Sequence, residues 1–165
     1  MPRRIGKNAV RIHLVFVGKT AFRDIESAIG RYMERLQHYC PVETHCIKAE
    51  KITGAVGDQF VRERESERIL KLAGRRGHLI VWDQRGRELD SPALSKLVEK
   101  LIASAISDLW MAVGGPVGVS VQLLKSAHDV LCFSKMTLPH DLARLMLVEQ
   151  LYRAFTIMKG EPYNK

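Results

Sequence analysis

Residues 109–118 read LWMAVGGPVG and residues 129–140 read DVLCFSKMTLPH, and these two stretches decide the fold. Each begins with a short apolar run, typical of a buried strand, that leads directly into a turn or a polar loop. Open α/β sheets bind their ligands at the loops that follow the carboxyl ends of neighbouring strands. We therefore expect a ligand site where the glycine-rich turn at 114–118 meets the loop at 134–140.

Strand and helix patterns alternate along the whole chain, which predicts an α/β fold with a mostly parallel sheet and helices on both faces. Strands are predicted at 10–17, 42–49, 78–83, 109–113 and 130–134. Helices are predicted at 22–36, 58–77, 91–105, 120–127 and 141–158. Two caps are predicted, Ser91 for the third helix and Ser120 for the fourth. The 165 residues suit a single domain, with residues 1–8 as a mobile arm.

The amino-acid composition limits the classes of protein to which this chain can belong. The chain is 46% apolar and 27% charged, as expected of a globular protein. No apolar run approaches the roughly 20 residues that span a bilayer, and the basic-then-apolar start lacks a small-residue cleavage site. We therefore expect a cytoplasmic protein without a membrane partner. The net charge of +8 favours a polyanionic partner, above all a nucleic acid.

Cysteine and glycine spacing exclude several kinds of site. The three cysteines show no CxxC pairing and are expected to be free thiols, and no metal ion is predicted. The glycine-rich turn has neither the GxxxxGK[ST] nor the GxGxxG pattern, which disfavours ATP hydrolysis and NAD chemistry.

The last predicted helix is unusually apolar. Apolar residues occupy positions 142, 145–148, 151, 152, 155, 157 and 158. That is too many for one stripe, so the helix is expected to bury two faces. A second copy of the chain would cover one of them, which predicts a symmetric homodimer.

Four blocks in the last third of the chain carry a family resemblance: GGPVG, FSKMTLPH, LVEQLYRAF and the terminal GEPYNK. In order and spacing they resemble the ribosomal large-subunit methyltransferase H family, which belongs to the SPOUT methyltransferases. The resemblance implies a carboxy-terminal trefoil knot and S-adenosylmethionine as methyl donor. It also implies methylation of N3 of a pseudouridine in the helix 69 loop of 23S rRNA, within the ribosome or its large subunit.

The resemblance also implies where the donor binds, namely between the glycine-rich turn and the second loop. The candidate contacts are Trp82, Gly114, Gly115, Phe133, Ser134, Lys135, Met136, Thr137 and Leu138. Trp82 and Leu138 would supply apolar surface. Val117 stands where the family commonly carries a polar residue, so no carboxylate base is assigned.

His140 is the candidate proton acceptor. It lies beside Asp141 at the start of the last helix, where the helix dipole disfavours a charged imidazole. A neutral imidazole can accept a proton from the nucleophile. A purely structural role for His140 is the alternative.

Basic and aromatic residues near the end of the chain are the candidates for RNA contact, because guanidinium and ammonium groups bind phosphates and tyrosine stacks on bases. They are Arg144, Tyr152, Arg153, Tyr163 and Lys165. The charged helix at 58–77 is interpreted as a solvated face that ends in candidate phosphate contacts at Lys71, Arg75 and Arg76. Two alternatives remain, a SPOUT enzyme that acts on tRNA and a non-catalytic RNA-binding or ribosome-assembly module.

Overall fold

The computed structural model describes residues 10–73 and 77–163. Within them, five strands and five helices follow one another along the chain. They are β1 (Arg11–Val17), α1 (Arg23–Leu36), β2 (Val42–Ile47), α2 (Asp58–Ala73), β3 (His78–Glu88), α3 (Ser91–Ala103), β4 (Asp108–Val113), α4 (Val121–Ser126), β5 (Asp129–Cys132) and α5 (His140–Lys159). The predicted arm at 1–8 and the residues Arg75, Arg76 and Lys165 lie outside the described ranges.

The strands form one parallel sheet in the order β2-β1-β4-β3-β5. The central strands β1 and β4 are buried along almost their whole length, because helices cover both faces. α1, α3 and α5 pack on one face, and α2 and α4 pack on the other. The predicted fold class, a mostly parallel α/β sheet with helices on both faces, is confirmed.

α5 packs between α1 and α3 on its face of the sheet. Leu147, Val148 and Leu151 of α5 have no exposed surface. The apolar character of α5 is therefore largely explained by neighbours in the same chain. Leu142 keeps 40% of its surface exposed and Met136, just before the helix, keeps 76%. The homodimer stays a prediction.

β3 is longer than the sequence predicted. It runs to Glu88 rather than ending at Asp83. Its pairing with β5 is irregular, because Trp82 and Arg87 both align with Leu131. The strand bulges out between these two positions and returns at Gly86. A Cβ on Gly86 would lie only 2.6 Å from the Leu131 carbonyl carbon, so only glycine allows this close return.

One predicted helix cap was wrong by one residue. The Asp90 carboxylate, not Ser91, caps α3 by accepting the Ala93 N–H at 2.7 Å. The Ser91 hydroxyl instead donates to Gln150 of α5 at 2.6 Å. The predicted Ser120 cap of α4 is confirmed. Among the helices of the described ranges, none combines the length and apolar character needed to cross a bilayer.

Candidate active site

A cavity of about 880 Å³ opens at the bulge of β3 and at the carboxyl ends of β4 and β5. Small-molecule sites occupy roughly 300–1,000 Å³. Its walls come from the bulge of β3, the glycine-rich turn after β4 and the loop after β5, together with Asp58 and Arg62 of α2 and the first turn of α5. The two loops that the sequence singled out therefore meet at one site, as the arrangement of parallel strands requires.

Eight of the nine predicted donor contacts lie in the cavity wall, and so does His140. The eight are Trp82, Gly114, Gly115, Phe133, Ser134, Met136, Thr137 and Leu138. Lys135 is exposed and does not line the cavity.

The glycine-rich turn is tight and lies directly against the protein behind it. The Gly118 N–H donates to the Gly115 carbonyl at 3.0 Å, and Gly118 has a φ of 78°. A Cβ on Gly115 would lie 2.8 Å from Glu65 Oε2 and 3.1 Å from Val17 Cγ1. No side chain fits there without displacing a neighbour, so the turn presents its backbone to the cavity.

α2 holds this turn in place. The Arg62 Nε–H donates to the Val117 carbonyl at 2.9 Å, and the Ser120 N–H donates to Ser66 Oγ at 2.8 Å. Glu65 is buried, and this burial raises the pKa of its carboxyl group. The interpretation of this charged helix as a solvated face was therefore incomplete, because one side of α2 is a brace for the turn.

An aromatic pair forms the opposite wall. The rings of Trp82 and Phe133 stack with centroids 4.0 Å apart and planes inclined by 6°. The Trp82 indole N–H is buried and has no acceptor within the described residues. This wall offers a flat apolar surface to the cavity.

Asp83 brings a carboxylate into the wall that the sequence analysis did not assign. The Arg85 guanidinium binds it through two nitrogens, at 2.7 and 2.9 Å. Burial raises the pKa of Asp83, but the Arg85 hydrogen bonds, with the positive charges of Arg85 and Arg62, outweigh this and lower the pKa overall. The position of Asp83 at the end of a predicted strand, next to Trp82, was the signal that could have identified it.

His140 begins α5 at the rim of the cavity, beside a buried carboxylate. Its Nε2 lies 3.4 Å from Asp141 Oδ1. Asp141 is 3% exposed and accepts the N–H groups of Ala21 and Phe22 at 2.8 and 3.3 Å. The carboxylate thus fixes both the loop after β1 and the start of the helix that carries His140.

The assignment of Arg144 to RNA contact needs correction. Arg144 has no exposed surface. Its guanidinium donates to the Val17 carbonyl and to the Thr20 hydroxyl, and it lies 3.8 Å from Asp141. A buried group with these partners has no face for an external phosphate. Arg144 instead joins β1 and its following loop to α5.

The remaining described RNA candidates cluster near the other end of α5. Arg153 donates to Glu149 at 3.0 and 2.6 Å, and the Tyr163 hydroxyl donates to the same carboxylate at 3.1 Å. Tyr152 meets the Tyr163 ring edge-on at 4.8 Å. Tyr152 lies twelve residues after His140 on the helix, or about 18 Å at 1.5 Å per residue. A single chain therefore does not bring these residues to the cavity.

A parallel α/β sheet with a cavity at its carboxyl edge, walled by backbone and aromatic surface, is the arrangement in which many α/β proteins bind small molecules. The family model described as "Predicted SPOUT methyltransferase" matches residues 10–164, and the chain belongs to this family. The function of this family requires a methyl donor. The resemblance noted in the sequence is thereby confirmed.

The names of individual similar proteins agree with this family assignment. A protein of Syntrophobacter fumaroxidans named ribosomal RNA large subunit methyltransferase H is 52% identical over 157 residues, which cover 94% of this chain and 100% of that protein. A protein of the same name from Clostridium kluyveri is 38% identical over 159 residues, with the same coverage. A solved structure of a probable methylase family protein from Haemophilus influenzae superposes with a TM-score of 0.59 at 11% identity, covering 94% of this chain and 71% of that one. At that identity the likeness concerns the fold alone.

Proposed function

We propose that this chain is a cytoplasmic enzyme that methylates the rRNA of the large ribosomal subunit, with S-adenosylmethionine as the methyl donor. The observation that carries the substrate class is the relative that is 52% identical over nearly the whole chain and is named for this activity. The cavity at the bulge of β3 and the ends of β4 and β5 supports the proposed donor. We further propose that the chain forms a single methyltransferase domain, and the trefoil knot stays a prediction.

The walls of the cavity fit such a donor. S-adenosylmethionine, when bound, supplies an electrophilic methyl group on a sulfonium centre. The Trp82–Phe133 stack offers a flat apolar surface for adenine, and the backbone of the glycine-rich turn can approach closely. An uncompensated anion would stabilise the sulfonium before reaction more than at the transition state. Asp83 and Asp58 both contribute carboxylates to the wall, and the pairing of Asp83 with Arg85 compensates the charge of Asp83.

The proposed acceptor is N3 of a pseudouridine in the helix 69 loop. This imide nitrogen loses its proton and attacks the methyl carbon in line, so that an N–C bond forms as the S–C bond breaks. His140 at the cavity rim is the proposed acceptor of that proton, with water as the alternative. Alignment of the two reactants can contribute roughly 7–11 kcal/mol in favourable cases.

A homodimer would complete the RNA site. Tyr152, Arg153 and Tyr163 lie far along α5 from His140, so a second copy is the simplest source of such residues near the cavity. The exposed Met136 and Leu142, close to the cavity, offer apolar surface for that contact. Lys165 is part of the same proposal, although it lies outside the described residues.

Methylation of purified ribosomal particles tests the proposal. Large subunits from a strain that lacks this protein, incubated with the chain and labelled S-adenosylmethionine, should gain one methyl group that mass mapping locates in the helix 69 loop. Transfer RNA from the same strain serves as the competing substrate. Labelling of tRNA but not of ribosomes would overturn the substrate assignment. The absence of donor binding in calorimetry would overturn the enzymatic assignment.

A further inference from the structure

A group of histidines and acidic residues lies on β1, β2 and β4, away from the cavity. His13 of β1 aligns with Glu43 of β2, and His45 follows two residues later on the same strand. Residues i and i+2 of a strand point to the same face, so Glu43 and His45 both project beside His13. The His13 ring stacks on Trp110 of β4, with centroids 3.9 Å apart.

We propose that His13, His45 and Glu43 bind a divalent transition metal ion of the Zn²⁺ class. His13 Nδ1 lies 3.0 Å from His45 Nε2. Glu43 Oε2 lies 3.8 Å from the first nitrogen and 3.9 Å from the second. A point equidistant from three atoms with these separations is about 2.1 Å from each, which matches Zn–N and Zn–O bond lengths of about 2.0–2.2 Å.

Asp108 orients His13 for this role. The His13 Nε2–H donates to Asp108 Oδ1 at 2.8 Å, and the Ser107 hydroxyl donates to the other carboxylate oxygen at 2.7 Å. With its proton on Nε2, His13 directs the Nδ1 lone pair toward His45 and Glu43. A carboxylate that fixes the tautomer of a ligating histidine is the usual outer partner of a zinc ligand.

The surrounding charges are compatible with a cation. Glu43 and Asp108 contribute two negative charges, and Arg11 contributes one positive charge 3.7 Å from Glu43 Oε1. That contact uses the carboxylate oxygen other than the one facing the histidines. Two imidazoles and a carboxylate suit zinc better than magnesium or calcium, which prefer all-oxygen sites.

The position of the site indicates a structural role. β2 is an edge strand of the sheet, and an ion here would tie it to β1. Trp110, which aligns with His13, precedes Val113 at the cavity end of β4 by three residues, or about 10 Å along the strand. No metal was predicted from the sequence, in which His13 lies about thirty residues before Glu43 and His45 and the three residues form no familiar ligand motif. The fold brings them together.

Zinc titration of the untagged full chain tests the site. After removal of metal with a chelator, calorimetry should give one Zn²⁺ per chain, thermal unfolding should shift upward with Zn²⁺, and Co²⁺ should give visible d–d absorption. His45→Ala should weaken Zn²⁺ binding at least about 100-fold. Asp108→Asn, which keeps all three ligands, should weaken it about 10–100-fold.

Two control variants separate this site from other zinc ligands. His38→Ala removes an exposed histidine whose Nδ1 lies within hydrogen-bond distance of two α1 carbonyls, and Cys46→Ser removes an exposed thiol. Both should bind Zn²⁺ as the parent does. His45 lies on the edge strand and is only partly buried, so circular dichroism should show His45→Ala folded. Parent chain that binds no Zn²⁺, or binding that persists in His45→Ala or is lost in Cys46→Ser, overturns the proposal.

Discussion

Trp82 and Phe133 stack face to face although fifty residues separate them in the sequence. Trp82 belongs to β3 and Phe133 follows β5, so the stack fastens the second loop of the cavity to the sheet. The loop is thereby held in place before any ligand arrives. A preformed surface lowers the ordering cost of binding, which is the physical reason to place the adenine of the donor here.

Replacing Phe133 tests the aromatic wall. Phe133→Ala removes the stack, which is worth about 0.5–1.5 kcal/mol beyond area burial, and also removes apolar surface from the cavity. We expect the affinity for S-adenosylmethionine to fall at least about tenfold in calorimetry, with a smaller loss of stability in urea unfolding. Phe60→Ala is the matched control, since Phe60 is 51% exposed on α2 and does not line the cavity. Equal donor affinity in the two variants would contradict the placement.

The Gly115 position tests whether the turn must lack a side chain. Gly115→Ala puts a Cβ 2.8 Å from the buried Glu65 carboxylate and 3.1 Å from Val17. We expect a loss of about 1–3 kcal/mol in the free energy of unfolding, as for other overpacked sites, together with weaker donor binding. Both can be measured on one preparation by urea unfolding and calorimetry.

Gly30→Ala is the control for the same chemical change. Gly30 lies within α1, and an added Cβ there meets no atom within 4 Å. Alanine is the better helix former by about 1 kcal/mol, so this variant should be stabilised. A Gly115→Ala chain as stable as the parent would show that the turn can move away from α2.

The sequence predicted the sheet well where apolar runs are unambiguous. The runs at β1 and β4 are apolar on both faces because both faces are covered, and such runs can be recognised from composition alone. The bulge of β3 could not be predicted in this way. Asp83 to Arg85 are polar and exposed or half-buried, like a loop, and only the close return at Gly86 makes them part of a strand.

The candidate site was likewise predicted only in part from the sequence. The two loops were found from their position after buried strands, Trp82 from the family resemblance, and His140 from its place at the start of the last helix beside the second loop. The brace provided by Arg62, Glu65 and Ser66 was missed, because in sequence these residues resemble the solvated face of a charged helix. Arg144 was misassigned for a related reason, because the sequence of α5 does not indicate that the side chain of this arginine is buried.

A buried role for Arg144 predicts a large effect on stability. Arg144→Met keeps most of the side-chain volume but leaves the buried Asp141 carboxylate without its cation, and the Val17 carbonyl without its donor. Removing one partner of a buried pair typically costs about 3–5 kcal/mol, and urea unfolding measures this loss. Arg31→Met, on the exposed surface of α1, should change stability by less than about 0.5 kcal/mol. Similar free energies of unfolding for the two variants would contradict a stabilising role for the buried Arg144 guanidinium.

The Asp83–Arg85 pair predicts a dependence of stability on pH. The folded state lowers the pKa of Asp83 below the value of 3.8 taken for the isolated group. Its contribution to the free energy of unfolding is therefore fully present above that value, and it is lost as the pH falls through the lower folded pKa. Parent and Asp83→Asn should differ most near neutral pH and converge in acid when unfolding is measured by urea titration at several pH values. A difference that stays constant down to pH 3 would show that the carboxylate contributes no proton-linked stability.

His140 is the decisive residue for the proposed chemistry. A positioned general base typically accelerates a reaction about 10²–10⁴-fold, so His140→Ala should lower kcat for ribosome methylation by about that factor. Donor affinity should change little, because the stack and the glycine-rich turn remain. His38→Ala, which removes an exposed histidine that does not line the cavity, should leave kcat unchanged. If His140 accepts the proton, the part of the pH dependence of kcat that arises from its imidazole should be absent in His140→Ala. A variant with the turnover and pH profile of the parent would assign the proton to water and leave His140 as the residue that begins α5.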